Sequence, residues 1–68
     1  MNIKQYIKRH NTTQTALAKF VGVDKSQVTR WVKGASKLDH EQVSAVIEFF
    51  KTFEPTVTFA DIFEVKAA

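Results

Sequence analysis

The chain has no cysteine, so neither a disulfide nor a thiolate metal site can staple it, and its redox compartment is left unread. It holds a single proline, Pro55, and only two glycines, Gly22 and Gly34, which confines strong backbone punctuation to three places. Long apolar runs are also missing. The N-terminal stretch MNIKQYIKRH interleaves charge with apolar residues, unlike a signal peptide or a membrane span, so a cytoplasmic protein without a membrane partner is expected. Acid is nearly absent from residues 1–37, where Asp24 is the lone carboxylate against eight cations. The remainder reverses this with six acids against two cations, so the net charge of +3 conceals a basic half of +7 and an acidic half of −4. Such a division suits a molecule with one side turned toward a polyanion.

With 68 residues there is room for one domain, 1–68, which buries only about 60% of its unfolded surface. A core that thin does not readily surround a deep, dry pocket with a supporting shell. This argues against an enzyme and against a cofactor or small-molecule ligand, and favours a binding module or an obligate dimer.

The apolar residues Ile3, Tyr6 and Ile7 fall at helical spacing behind Asn2, a capping residue with Gln5 three places on, which predicts a helix near 2–10. One of the threonines in His10-Asn11-Thr12-Thr13 caps a second helix, about 13–21, with Leu17, Ala18 and Val21 inward and Gly22 at its end. Asp24 and Gln27 form a capping-box-like pair opening a third helix that runs to Lys33, with Gly34 as C-cap. The same spacing recurs in Asp39 and Gln42, ahead of the stripe Val43, Val46, Ile47, Phe50 and Phe53, which predicts the longest helix over 39–53. Pro55 stops it. The tail Thr58-Phe59-Ala60-Asp61-Ile62-Phe63 suits a short final helix, although the β-branched and aromatic run Thr56-Val57-Thr58-Phe59 also reads as a strand that pairs across a dimer. The fold class expected is therefore all-α, a bundle of about five short helices with a C-terminal strand as the alternative.

Residues 14–33 have what two short helices need to cross steeply through a tight turn. Ala18 is small at the closest approach, Gly22 permits a left-handed backbone, and Val23 plugs the turn. On a 100° helical step from Lys25, the residues Lys25, Thr29, Lys33, Ser26 and Arg30 fall between about 0° and 140°. Trp31, Val28 and Val32 fall between about 240° and 340°, which makes Trp31 a core residue rather than a base-stacking platform. The polar face carries cations and hydroxyls and no acid, the chemistry suited to guanine acceptors and phosphates. Arg30 can bond a guanine bidentately, Lys25 can reach a guanine or a phosphate, and Ser26 and Thr29 can touch base edges. Gln27 lies on the margin at about 200°, where capping competes with base contact.

These residues resemble the helix-turn-helix regulators of temperate phages, the Cro and repressor proteins, over about residues 2–64. The run Val21 to Trp31 is especially similar to the recognition segment of the CII activators of lambdoid phages. The resemblance implies base contact by Lys25, Ser26, Thr29 and Arg30, and adds a phosphate contact by Gln14 at the start of the first motif helix. Thr15 beside it is taken with Gln14, and Lys33, Ser36 and Lys37, at and just beyond the end of the recognition helix, are taken as further phosphate contacts. The CII activators continue past the motif into an oligomerising segment that this chain is too short to hold, so the Cro-like or repressor-like reading is preferred.

A plain αα-hairpin would explain Gly22 as a mere C-cap, but not Ala18, Gly22, Val28 and an acid-free face together. Asp39-His40-Glu41 imitates a metal or catalytic cluster, yet adjacent helical residues point to different sides and Asp39 is already a cap, so no metal site is expected. His10 has no evident partner and is placed at the surface. Phe49, Phe50, Phe53, Phe59 and Phe63 exceed what one small core requires, which points to a subunit interface within 39–64. The expected function is a homodimeric transcriptional regulator on double-stranded operator DNA, with a CII-like activator or antitoxin-type autoregulator as its nearest rival. The rival of another class is a protein-docking module using the aromatic C-terminal half without nucleic acid. RNA is disfavoured because the aromatics do not alternate with the basic residues.

Overall fold

Among the described residues five helices follow in chain order: α1 Ile3–Arg9, α2 Gln14–Val21, α3 Lys25–Lys33, α4 His40–Lys51 and α5 Phe59–Phe63. The computed structural model describes residues 2–63, so Glu64 and Lys66, counted above among the charges, and the last position of the 39–64 segment lie outside the described residues. No strand occurs among the described residues. The segment 56–59, read above as a possible strand, instead turns into α5. Thr58 and Asp61 close a reciprocal cap there, the Thr58 amide donating to the Asp61 carboxylate at 3.0 Å and the Asp61 amide to the Thr58 hydroxyl at 3.4 Å. That local cap outweighs β-propensity, which needs a partner strand to be realised.

Each helix contributes an inward stripe to one core. Ile3, Tyr6 and Ile7 come from α1, Leu17 and Ala18 from α2, Val28 and Trp31 from α3, Val46, Phe49 and Phe50 from α4, and Ile62 from α5. Val57, in the loop after Pro55, seals the cluster. Trp31 is fully buried, and its indole nitrogen has no hydrogen-bond partner among the described residues. Phe49 and Phe50 belong to the core, whereas Phe20, Phe53 and Phe59 remain 51%, 44% and 49% exposed. The large exposed aromatics therefore include Phe20 of α2, which the count over the C-terminal half passed over.

Of the caps at the starts of α1 and α4, one assignment changes. Asn2 makes no side-chain cap to α1; its backbone amide donates to the Ile62 carbonyl at 2.6 Å and its side-chain amide to the Asp61 carbonyl at 3.0 Å, tying the start of the chain to α5. The Asp39 and Gln42 box does form, with bonds of 2.7 and 3.0 Å. His10 is not a free surface residue. It is half-buried, stacked on Phe53 with ring centroids 5.3 Å apart, and its Nε2 lies 3.4 Å from the Glu54 carboxylate that Arg9 also reaches at 3.2 Å. The ends of α1 and α4 are thereby clasped.

Burial pushes the Tyr6 phenol above its ordinary value of 10.0; the charges of Asp61 and Glu54 add to this, and the Arg9 guanidinium, 5.2 Å over the ring, opposes it. The folded state thus holds the phenolic proton more tightly than the unfolded chain does. Its contribution to stability is complete below the ordinary value and is lost as pH rises through the raised one. As pH rises above about 10, thermal melts should fall more steeply for the wild type than for Tyr6→Phe, which has nothing to ionise at that position.

Candidate nucleic-acid interface

The pairing of α2 with α3 is set by three short-range devices. The Thr13 hydroxyl accepts from the Ala16 amide at 3.0 Å and fixes where α2 begins. At its other end the Ala18 carbonyl accepts from both the Gly22 amide at 2.8 Å and the Val23 amide at 3.0 Å. That closure holds position 22 at φ +87°, a left-handed conformation glycine adopts without strain. Val23 then packs against the core, and α3 leaves at once with Val28 and Trp31 buried behind it.

With those two residues inward, the opposite face of α3 is bare. Lys25, Ser26, Arg30 and Lys33 are exposed, and Thr29 and Gln27 are half-buried at its two edges. Among the described residues the basic side chains that meet a carboxylate within 4 Å are Arg9 and His10, both at Glu54, so no α3 cation has a carboxylate partner among them. On one edge an open groove is lined by Thr13, Gln14, Thr15, Lys25 and Thr29. On the other a concavity is lined by Ser26, Gln27, Arg30 and Lys37, together with Asp24, Asp39 and Gln42.

Each edge of α3 is bonded to the element beside it. The Thr29 hydroxyl donates to the Gln14 side-chain carbonyl at 2.9 Å and also approaches the Lys25 carbonyl at 3.2 Å. With its carbonyl so held, the Gln14 amide turns its NH2 away from Thr29, and Thr15 is exposed beside it. On the far edge the Gln27 amide donates to the Ser36 hydroxyl at 3.0 Å, while Lys37 next to it is exposed. Beyond α3 the Gly34 amide bonds the Trp31 carbonyl at 3.1 Å and the Ala35 amide the Arg30 carbonyl at 2.9 Å, with Gly34 at φ +75°. The loop bearing Ser36 and Lys37 therefore leaves the helix in a fixed direction.

A helix-turn-helix family model matches residues 3–54, spanning α1 to α4. The chain belongs to the helix-turn-helix family. This helix-turn-helix protein is accordingly a DNA-binding transcriptional regulator, with α2 and α3 as the motif pair and double-stranded DNA as its partner. No curated protein and no solved structure matches it. No helix among its described residues is long and apolar enough to cross a membrane.

The structure brings all ten sequence-selected residues onto α3 or onto the two flanking pieces, the start of α2 and the loop 34–38. It also corrects one assignment. Asp24 stands at the N-cap of α3 with extended backbone but makes no side-chain cap bond, so the box expected with Gln27 is absent. Gln27 is engaged by Ser36 instead. Asp39 and Gln42, which line the second concavity, were read only as helix caps. Nothing in the periodicity of α4 announces that its first turn lies beside Arg30, because that proximity is a tertiary fact.

Proposed function

We propose that this regulator is a Cro-like repressor of phage or prophage type that works as a homodimer in the bacterial cytoplasm. Two copies of α3 enter successive major grooves on one face of a palindromic operator, with half-site centres about 34 Å apart, and binding occludes polymerase. Arg30 and Lys25 take guanine edges, and Ser26 and Thr29 touch neighbouring bases. Gln14, Thr15, Lys33, Ser36 and Lys37 position the backbone through phosphates. One observation carries the reading: α3 presents an exposed, acid-free face of hydroxyls and of cations that have no ion pair among the described residues, between two grooves, with its apolar face sealed in the core. The segment 39–64 completes the core and supplies the dimer contacts; the exposed rings of Phe53 and Phe59 are apolar area suited to that use.

The test is selection of the purified protein against a randomised duplex library, followed by a salt titration on the enriched sequence. An inverted repeat with half-site centres about 10 base pairs apart and a steep salt dependence is expected. Enrichment of a single half-site bound by a monomer would overturn the dimer. Footprinting on the natural promoter separates repression from activation: overlap with the polymerase site supports repression, whereas a flanking site would favour the activator reading.

A further inference from the structure

We infer that Gln27 is a positioning residue: by donating to the Ser36 hydroxyl it turns that hydroxyl into an outward hydrogen-bond donor for a backbone phosphate. The inference rests on the DNA-docking reading above and gives Gln27 a different task from reading a base. Gln27 lies in α3, on the margin between the buried and the exposed face, and its amide reaches Ser36 at 3.0 Å in a partly buried setting. A hydroxyl has one hydrogen and two lone pairs. Once a lone pair of Ser36 accepts from Gln27, the hydrogen has no role in that bond and is left to donate elsewhere. The donated bond also polarises the O–H, which strengthens the bond the hydroxyl then gives.

The surroundings agree with that use. Ser36 sits in the loop whose path is fixed by the Gly34 and Ala35 amides folding back on α3, and Lys37 follows it on the exposed side. Gln27, Arg30 and Lys37 line one concavity together with Asp24 and Asp39, and Ser36, bonded to Gln27 and preceding Lys37, is tied to its edge, so a strand backbone passing along this side of α3 meets Lys37 and the oriented hydroxyl. The arrangement mirrors the opposite edge, where Thr29 fixes the Gln14 carbonyl and leaves the Gln14 NH2 to donate. In both cases a side chain of the recognition helix spends its hydrogen-bonding capacity on a neighbour whose remaining N–H or O–H then faces away.

The experiment is a double-mutant cycle with Gln27→Met, which keeps the length and removes the amide, and Ser36→Ala, measured by anisotropy on the library-selected duplex and on every single-base variant of it. Each single change is expected to weaken binding about three- to tenfold for all duplexes alike. The double variant should be no weaker than the poorer single one. Preference at every operator position should stay as in the wild type, and the salt slope should hold in Ser36→Ala, because a neutral donor displaces no counterion. A changed base preference at one position in Gln27→Met would make Gln27 a base reader and overturn the inference, and so would losses that simply multiply in the double variant. Ser36→Ala, confined to a loop, keeps the test decisive if Gln27→Met folds poorly: unaltered affinity in it would also overturn the inference. Failure of the wild type to bind any duplex would instead remove the docking reading itself, a different result from either.

Discussion

Replacing Trp31 by alanine is expected to abolish cooperative folding near room temperature, the largest effect of any single substitution in the chain. Trp31 is fully buried, the largest side chain to be so, and it stands on α3 where the motif pair meets the rest of the core. Truncating such a ring costs about 3–5 kcal/mol from lost transfer energy and the cavity left behind. A chain of this length has a total stability of only about 3–10 kcal/mol, so the loss is comparable with the whole. In a thermal melt followed by far-UV circular dichroism, the midpoint should fall by about 15 °C or more, or the transition should vanish. Trp31→Phe separates packing from polarity. It gives up volume but also removes the buried indole N–H, which has no acceptor among the described residues and costs about 1–3 kcal/mol to leave unpaired. The two terms offset, and Trp31→Phe should melt much closer to the wild type than Trp31→Ala. A Trp31→Ala protein that melts within a few degrees of the wild type would mean that the α3 side of the core is dispensable.

The contrast between Trp31 and Gln27 shows what the sequence discloses. Trp31, Val28 and Val32 fall on one side of a simple helical wheel because burial of large apolar groups dominates the energetics, and that pattern survives any detail of packing. The bounds of α3, the left-handed Gly22 and Gly34, and the Asp39 and Gln42 box were likewise readable, since each depends on residues within four positions of one another. Gln27 was not readable in the same way. Its spacing from Asp24 matches that of Gln42 from Asp39, yet one pair closes a box and the other does not. The difference is Ser36, nine residues away, which a local rule cannot see. The same holds for Asn2, drawn to α5 rather than to α1, and for His10, whose partners Phe53 and Glu54 arrive only when the ends of α1 and α4 meet. For the candidate site, the exposed face of α3 was legible as a set of residues, but its division into two edges with separate neighbours was not.

Arg30 is where the proposed docking makes its sharpest claim. The guanidinium is exposed on α3 at the rim of the second concavity and has no acidic partner among the described residues, so it enters a groove without first breaking an ion pair. A fork of donors facing the two acceptors of a guanine makes a bidentate contact worth about 1–3 kcal/mol of discrimination. Arg30→Ala should therefore bind the selected operator about 5- to 150-fold more weakly, and one base pair per half-site should lose its preference. Arg30→Lys tests geometry apart from charge: an ammonium keeps the cation but not the planar fork, so affinity should recover partly while preference at that base pair stays relaxed. Lys37→Ala supplies the contrasting case, with every duplex weakened alike and the salt slope reduced by about one per subunit. Titrating the three variants against the operator and its single-base changes at several salt concentrations distinguishes these outcomes. If Arg30→Ala behaved like Lys37→Ala, losing slope but no preference, Arg30 would be a phosphate contact, and sequence reading would fall to Lys25, Ser26 and the shape of the duplex.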